Sequence, residues 1–254
     1  MSTKTVFVSG ATSGFGKAAA FVFAKHGYDL IICGRREQRI IELENALKQQ
    51  YNVRALGVTL DVRKQKDVQS LFNCLPQQWQ QIDILINNAG LAAGFDFFDE
   101  ASLEDWDQMI DTNLKGLLYV TKACLPFLKK SYDPHIFNIG STAAKNIYEK
   151  GNVYCATKAA VDSVSQAMRI DLLQYNIKVT AIHPGAAETE FSEIRFKGDK
   201  AKAAKVYAGF NPLKPEDIAD IIYYCASLPP HVCINDLVVT PTAQANALYF
   251  NKKK

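Results

Sequence analysis

A tyrosine and a lysine four positions apart, Tyr154 and Lys158, carry the clearest proton-transfer chemistry in this 254-residue chain. Residues four apart lie on one face of a helix, so the two side chains would be neighbours. A free phenol has a pKa of about 10, but an adjacent ammonium favours the phenolate and brings it nearer the range of a working acid–base group. Ser141, upstream, could hydrogen-bond an oxygen on which charge develops. The pattern predicts proton exchange at a substrate oxygen.

Tyr-x-x-x-Lys by itself is a weak pattern, because Tyr249 and Lys253 in the C-terminal tail repeat it. The pair at 154 differs in position: it opens a predicted long helix directly after the Ser141 loop, and Ser141 lies two residues beyond a predicted strand. Taken singly, each residue also has a structural interpretation, as a turn serine or a core tyrosine. Their combination favours the catalytic one.

The segment from Val6 to Gly16 has the pattern of a buried strand that runs into a glycine-rich turn and the start of a helix. Glycine is needed where φ is positive or where a ligand must approach the backbone, and the following helix offers unpaired N–H groups and a positive dipole end to an anion. The segment therefore predicts a phosphate cradle. Its residues are Gly10, Ala11, Thr12, Ser13, Gly14, Phe15 and Gly16.

Short apolar runs alternate with helical patterns along the whole chain. Strands are predicted at 5–9, 28–33, 53–59, 83–86, 135–139, 178–182 and 236–240, and helices at 14–26, 36–50, 64–75, 103–112, 114–130, 151–175 and 215–227. Strands that alternate with such helices predict right-handed crossovers and a parallel sheet covered on both faces. We expect one α/β domain over 1–254, a Rossmann-type doubly wound fold with seven parallel strands, with its ligand beyond their carboxyl ends.

Composition argues against several classes of function. The net charge of +3, with basic residues scattered except at 252–254, is too small to indicate a nucleic-acid surface. No apolar stretch approaches the roughly 18 residues of a membrane helix, and no signal-peptide core follows the N-terminus. The six cysteines contain no C-x-x-C pair, which favours a reducing cytoplasm, and the four isolated histidines show no metal-ligand spacing. We expect no nucleic-acid, membrane or metal partner.

Ser9 and the glycines at 10, 14 and 16 resemble the T-G-x-x-x-G-x-G motif of the short-chain dehydrogenase/reductase family. Asn113, Ser141, Tyr154 and Lys158 resemble its Asn-Ser-Tyr-Lys tetrad, in the family's order. The resemblance implies a nicotinamide cofactor and hydride transfer at a substrate carbon. It also implies that Lys158 holds the nicotinamide ribose and that Asn113 holds a water linking Lys158 to solvent. Further implied cofactor contacts are Asp61, Val62, Asn87, Asn88, Ala89, Gly90, Pro184, Gly185, Ala186 and Thr189.

Two arginines, Arg35 and Arg36, follow the second predicted strand. A site selective for NAD usually places a carboxylate here to accept from the ribose 2′-hydroxyl, whereas the 2′-phosphate of NADP needs guanidinium donors. Asp29 precedes the strand and would lie at its opposite end. We therefore predict NADP as the cofactor, with Arg35 and Arg36 as phosphate ligands. One of the two could instead begin a solvated helix face.

The segment from Glu188 to Asp199 occupies the place of the family's substrate lid, which we expect over about 188–212. With Gly-Ser-Thr-Ala at 140–143 and Leu-Pro-Pro-His-Val-Cys-Ile-Asn at 228–235, it resembles the NADP-dependent 3-hydroxy acid dehydrogenases that oxidise L-serine and L-allo-threonine. A guanidinium can grip the carboxylate of such a substrate bidentately. Arg195 is the first candidate and Lys197 the second, with Ser141 and Tyr154 at the reacting oxygen.

Two alternatives stay open: a broader carbonyl or 3-oxoacyl reductase, and a catalytically silent NADP-binding scaffold or sensor.

The resemblance also implies a homotetramer built through the helices at 102–130 and 151–175. The apolar run 247–250 in the tail, 241–254, suggests that the tail docks on a partner subunit.

Overall fold

The computed structural model describes residues 3–253, so residues 1, 2 and 254 of the predicted domain and tail lie outside the described part. Seven strands are found there: β1 (Thr5–Ser9), β2 (Asp29–Gly34), β3 (Ala55–Thr59), β4 (Ile84–Asn87), β5 (His135–Ile139), β6 (Lys178–Pro184) and β7 (Asp236–Val239). They form one sheet in the order β3-β2-β1-β4-β5-β6-β7, and each neighbouring pair is parallel. The predicted parallel sheet is confirmed.

Helices connect the strands and cover both faces of the sheet. They are α1 (Gly14–Lys25), α2 (Glu37–Tyr51), α3 (Gln65–Asn73), α4 (Leu103–Ile110), α5 (Leu117–Leu128), α6 (Asn152–Asp171), α7 (Phe191–Arg195), α8 (Lys200–Val206) and α9 (Pro215–Ser227). Side chains of β1 alternate between two cores: Val6 and Val8 pack with α1, α2 and α9, whereas Phe7 packs with α3 and α5. This period of two is what a strand buried on both faces requires.

The strand order reverses at β1, which pairs with β2 on one side and β4 on the other. The connections leaving β1 and β4 therefore run to opposite faces and leave a crevice above their carboxyl ends. Open α/β sheets bind their ligands at this switch point. The glycine-rich turn follows β1 and the Asn88–Gly90 segment follows β4, so the sheet brings them together here.

The predicted boundary between helices ending at 112 and beginning at 114 is wrong. The chain stays helical from α4 through a π-helical turn, Asp111–Gly116, into α5. The Asn113 amide donates to Leu91 O and to Thr157 Oγ1, so contacts distant in sequence hold the widened turn. Smaller differences are a third strand that begins at Ala55 and an α6 that ends at Asp171, before a 3₁₀ turn at Leu173–Tyr175.

The described part of the C-terminal tail contacts its own chain, and its docking on a partner subunit stays a prediction. Lys253 N–H donates to Gly209 O over 2.8 Å, and the ring centroids of Phe250 and Phe210 are 5.3 Å apart. The tail therefore covers the end of the 188–212 segment, which contains α7 and α8. Leu248 and Tyr249 keep most of their surface exposed.

Candidate active site

A cleft of about 860 Å³ opens at the carboxyl edge of the sheet, above β1 and β4. The segments that follow all seven strands line it, and α7 closes one side. Most of the predicted site residues lie on its wall: Gly10, Thr12, Ser13, Gly14, Phe15, Arg35, Arg36, Asp61, Val62, Asn88, Ala89, Gly90, Ser141, Tyr154, Lys158, Pro184, Gly185, Ala186, Thr189 and Arg195. Ala11, Gly16, Asn87 and Asn113 are also near the cleft but do not line it, so they act as supports.

Gly10 shows why the turn after β1 is rich in glycine. Its φ is +66°, and a Cβ there would lie 2.8 Å from Ala89 Cα. The neighbouring segment is bound tightly to this turn, because Asn88 Nδ2 donates to Ser9 O and Gly10 O, each over 3.0 Å. Ser9 Oγ in turn accepts from Asn88 N and Ala89 N, each over 3.1 Å. Ser9 thus supplies a hydroxyl where the family motif has threonine.

The start of α1 offers an anion site of the kind that the sequence predicted. No side chain caps it at Ser13, and no acidic residue lies in its first turn. The free N–H groups and the positive end of the helix dipole are therefore available to a phosphate. Thr189 lies beside this turn, with its side chain 3.5 Å from where a Cβ of Gly14 would be.

Arg35 and Arg36 both reach the cleft wall but differ in what they contact. The Arg36 guanidinium donates to Thr12 Oγ1 over 2.8 Å, to Ser13 Oγ over 2.9 Å and to Glu190 over 2.7 Å. Within residues 3–253 the Arg35 guanidinium forms no hydrogen bond or ion pair, which leaves its donors available. Asp61 is held by Arg63 at 2.6 Å, and that hydrogen bond keeps the pKa of Asp61 below its usual value.

Asp29 lies at the other end of β2, as predicted. It is buried and pairs with Arg54 over 2.6 Å, so it cannot serve as the carboxylate of an NAD-selective site. Asn87, at the end of β4, is also held by protein contacts: its Nδ2 donates to Thr121 Oγ1 and Asn138 Oδ1. It ties β4 to β5 beneath the cleft.

Tyr154 and Lys158 lie on one face of α6, and both are buried. Lys158 Nζ donates to Ile139 O over 2.9 Å, and burial lowers the pKa of Lys158 to about 8. Burial also raises the pKa of Tyr154, and the opposing effects of Ser141 and Arg195 are smaller. Burial of the phenol is thus the main influence on its pKa in the protein alone, and the expected stabilisation of the phenolate by the Lys158 ammonium and a bound nicotinamide stays a prediction. Tyr154 is protonated at neutral pH.

Ser141 begins a short 3₁₀ turn, Thr142–Ala144, after β5. Its Oγ accepts from Ala143 N over 3.1 Å, which leaves the hydroxyl hydrogen free to donate. The Ser141 hydroxyl lies near the Tyr154 phenol and opposes the rise in the pKa of Tyr154. Asn113 is bound on both sides: Oδ1 accepts from Leu91 N and Nδ2 donates to Leu91 O, each over 2.8 Å.

Arg195, on α7, lies over the aromatic wall of the cleft. Its guanidinium carbon is 5.4 Å from the ring centroid of Tyr154 and 4.7 Å from that of Phe95, and Nη2 donates to Tyr148 Oη over 2.8 Å. Its Nε is buried and has no hydrogen-bond partner in the described part of the chain. Lys197 instead forms an ion pair with Asp105 over 2.8 Å and does not line the cleft, so the second candidate is wrong.

Three contributors to the site have no local signal in the sequence. Tyr148 orients Arg195, and Phe191 packs on Tyr154 with ring centroids 5.5 Å apart. Gln244 is buried and its Oε1 accepts from Ala186 N over 2.8 Å, so it fixes the turn after β6. It comes from the tail, 58 positions further along the chain.

Asp162, His183 and Asp236 lie within 4.8 Å of one another, although sequence spacing gave no sign of such a cluster. The Lys145 ammonium already contacts both carboxylates, at 2.8 and 2.7 Å.

Over residues 3–253, no helix is both long and apolar enough to cross a membrane.

Comparison with known proteins shows which family this chain belongs to. A family model described as short chain dehydrogenase matches residues 4–200. The NADP-dependent 3-hydroxy acid dehydrogenase YdfG of Salmonella typhi is 46% identical over 243 residues, which are 95% of this chain and 96% of the relative. Sulfoacetaldehyde reductase 2 of Chromohalobacter salexigens is 45% identical over 241 residues, 94% of this chain and 95% of the relative.

A solved structure, the closed form of serine dehydrogenase complexed with NADP+, superimposes on this chain with a TM-score of 0.91. It is 43% identical and covers 98% of this chain and 100% of its own. YdfG is named as NADP-dependent, and the solved serine dehydrogenase is a complex with NADP+. The chain is an NADP-dependent oxidoreductase and belongs to the short-chain dehydrogenase family.

Proposed function

We propose that the substrate is a small 3-hydroxy acid or the matching oxo acid, of the L-serine, L-allo-threonine or 3-hydroxypropionate type. The observation that carries this is Arg195, a half-buried arginine whose Nε is itself buried and has no hydrogen-bond partner within residues 3–253, on the wall that also holds Tyr154 and Ser141. A buried donor without a partner is costly, and an anionic group of a ligand would satisfy it.

The names of two relatives support an anionic substrate. One is named for 3-hydroxy acids and another for sulfoacetaldehyde. In both compounds the anionic group is two bonds from the reacting carbon. Arg195 would therefore face a similar charge at a similar distance in either case, and sulfonates belong in the substrate panel.

The described residues fit NADP. The glycine turn lines the cleft, the start of α1 is free to bind phosphate, and Arg35 has donors without a partner within residues 3–253 that could bind the 2′-phosphate. Arg36 would add a second guanidinium after releasing Glu190. The bound cofactor supplies or accepts hydride. Its remaining contacts would come from residues on or just behind the wall: Ala11, Thr12, Ser13, Gly14, Phe15, Gly16, Asp61, Val62, Asn87, Asn88, Ala89, Gly90, Tyr154, Lys158, Pro184, Gly185, Ala186 and Thr189.

Tyr154 would exchange a proton with the substrate oxygen. Its protonated phenol is in the state that donates to a carbonyl oxygen, and the Ser141 hydroxyl would donate a second hydrogen bond to the same oxygen as charge develops. Lys158 would bind the ribose hydroxyls, and Asn113 would hold the water beside it. The π-helical turn at Asn113 supports this role, because widening a helix leaves backbone carbonyls without their usual partner.

A substrate panel tests the proposal. L-serine, L-allo-threonine, 3-hydroxypropionate, sulfoacetaldehyde and simple ketones are assayed with NADP(H) and NAD(H) in parallel. We expect the highest kcat/KM for anionic substrates with NADP(H). Faster turnover of neutral ketones would favour the broad carbonyl reductase, and tight NADP binding with no turnover of any compound would favour the silent scaffold.

We also propose a cytoplasmic homotetramer. All six cysteines are free thiols, in keeping with a reducing compartment. Apolar side chains are exposed on α5 and at the end of α6, at Leu118, Ile170 and Leu173, where an interface between subunits would cover them. Light scattering of the full chain and of a chain ending at residue 243 measures the mass, and a monomer in both would exclude the tetramer.

A further inference from the structure

His183 is a fully buried histidine directly behind the Ser141 turn, at the end of β6. Its Nδ1 lies 3.4 Å from Ser141 N and 3.3 Å from Ser141 O. Its Nε2 lies 3.2 Å from Asp236 Oδ1 and 3.6 Å from Asp162 Oδ1. The ring therefore bridges a proposed catalytic residue and two carboxylates on β7 and α6.

The residue before Ser141 is a glycine, Gly140, and the ring depends on it. A Cβ at this position would overlap the imidazole of His183. The Gly140 N–H donates to Ile182 O over 2.7 Å, and this hydrogen bond ties the backbone of Gly140 to β6. The imidazole thus packs directly on the backbone that leads into Ser141.

The neighbours of His183 assign its tautomer. A carboxylate only accepts, so the two acids favour the tautomer with the hydrogen on Nε2, which lies nearest Asp236 but forms no hydrogen bond within residues 3–253. Nδ1 is then an acceptor and receives the Ser141 N–H. Burial lowers the pKa of His183, which keeps this neutral form at neutral pH. A second proton would place a hydrogen on Nδ1 facing the Ser141 N–H.

Lys145 closes the arrangement from the other side. It follows the Thr142–Ala144 turn, and its ammonium contacts Asp162 over 2.8 Å and Asp236 over 2.7 Å. The polypeptide runs from Ser141 through the turn to Lys145. Side-chain contacts then lead from Lys145 to the two carboxylates, from these to His183, and from His183 back to the Ser141 backbone. Because Ser141 Oγ is set by its bond from Ala143 N within that turn, a shift of the turn would move the hydroxyl.

We propose that His183, Asp162, Asp236 and Lys145 form a positioning network that holds the Ser141 hydroxyl in place for catalysis. The network acts through Ser141 and does not touch the substrate. It rests on the proposed function only in that Ser141 acts on the substrate oxygen. The charged groups that face His183 are Asp162 on α6, Asp236 on β7 and Lys145 after β5.

Lys145→Met is the test variant, because Lys145 is about one-third exposed (31%) and its loss spares the buried ring. Removing the ammonium loosens the carboxylates, and we expect kcat to fall about tenfold, the effect of one hydrogen bond, with the KM for NADP unchanged. It also leaves His183 beside two uncompensated carboxylates, so the acid limb of kcat should move up by about one pH unit. Lys145→Arg should restore both, since a guanidinium also bonds two carboxylates.

Lys48→Met is the matched control, because Lys48 also pairs with an acid, Glu44, but on α2 away from the cleft. A kcat and an acid limb that stay at wild-type values in Lys145→Met would overturn the network. So would a failure of Lys145→Arg to restore them.

Amide hydrogen exchange separates this proposal from the substrate assignment, because it needs no turnover. The Ser141 N–H should exchange faster in Lys145→Met than in the wild type, Lys145→Arg or Lys48→Met, measured on the peptide 139–146. Equal exchange in all four proteins would contradict the network even if the enzyme is active. Faster exchange in Lys145→Met alone would support it even if the substrate panel finds no 3-hydroxy acid activity.

Discussion

Tyr154 and Lys158 are buried on one face of α6, and burial favours the neutral form of each. The sequence predicted the identity, order and helical spacing of this pair, since those follow from the i, i+4 rule. It did not predict the direction of the Tyr154 pKa shift. That direction comes from burial of the phenol, on which Phe191 of α7 packs, and the order of residues along α6 carries no information about this packing.

Tyr154→Phe removes the proton donor and keeps the ring that packs on Phe191. We expect turnover to fall about 10² to 10⁴-fold, the usual contribution of a general acid or base, with the affinity for NADP within about threefold of wild type. Steady-state assays and fluorescence titration measure the two. Retained turnover would mean that another group moves the proton.

Arg35→Ala removes the guanidinium that has no partner in the described part of the chain. We expect the Kd for NADP to rise about 10 to 100-fold, as for loss of hydrogen bonds between charged groups, and the Kd for NAD to stay constant. Arg39→Ala is the control, because Arg39 pairs with Glu190 and does not line the cleft. An equal loss of NAD affinity in Arg35→Ala would exclude a role at the 2′-phosphate.

Among the elements, the strands were predicted well and the connections to the cleft less well. Each strand is a compact apolar run between turn residues, so its pattern is local. The Asp111–Gly116 turn has the asparagine and glycine typical of a helix end, yet it continues the helix because Asn113 bonds to Leu91 and Thr157. Gln244 reaches Ala186 from the tail, and no local pattern predicts such a contact.

Gln244→Ala tests the link between the tail and the turn after β6. Ala186 N loses its acceptor and the tail loses its bond to that turn, so we expect the KM for NADP to rise about three- to tenfold, as for one neutral hydrogen bond. Cleavage of the tail by a protease should also become faster. Gln80→Ala removes a glutamine that bonds to Leu75 O far from the cleft, and serves as the control. No difference between the two variants would contradict the link.

At the scale of the whole molecule, one sheet with a core on each face brings distant residues to a single edge. The sequence predicted this architecture, because alternation of strands and helices constrains topology strongly. It did not predict the buried polar groups inside, such as His135 on β5, whose Nε2 bonds to Thr180 Oγ1 over 2.7 Å. An isolated histidine in a sequence gives no indication of its depth.

His135 makes the fold sensitive to acid. Burial lowers the pKa of His135 to about 3, from an unfolded value of about 6.5. Between these values the unfolded chain binds one more proton at this residue than the folded chain. The free energy of unfolding should therefore fall by up to about 1.4 kcal/mol per pH unit as the pH drops below 6.5. In His135→Gln this contribution disappears, and urea unfolding at pH 7, 6 and 5 measures it. Parallel pH dependences in the two proteins would contradict the assignment.

The central claim is that an NADP-dependent oxidoreductase binds an anionic substrate through Arg195. The most direct measurement is the KM of Arg195→Ala for 3-hydroxypropionate and for an uncharged secondary alcohol, with Lys197→Ala as the matched lid control. We predict that the KM for the acid rises about 10 to 100-fold, in line with loss of a charged hydrogen bond. The KM for the alcohol should change little, and Lys197→Ala should leave both unchanged. An equal rise for the acid and the alcohol in Arg195→Ala would contradict the account.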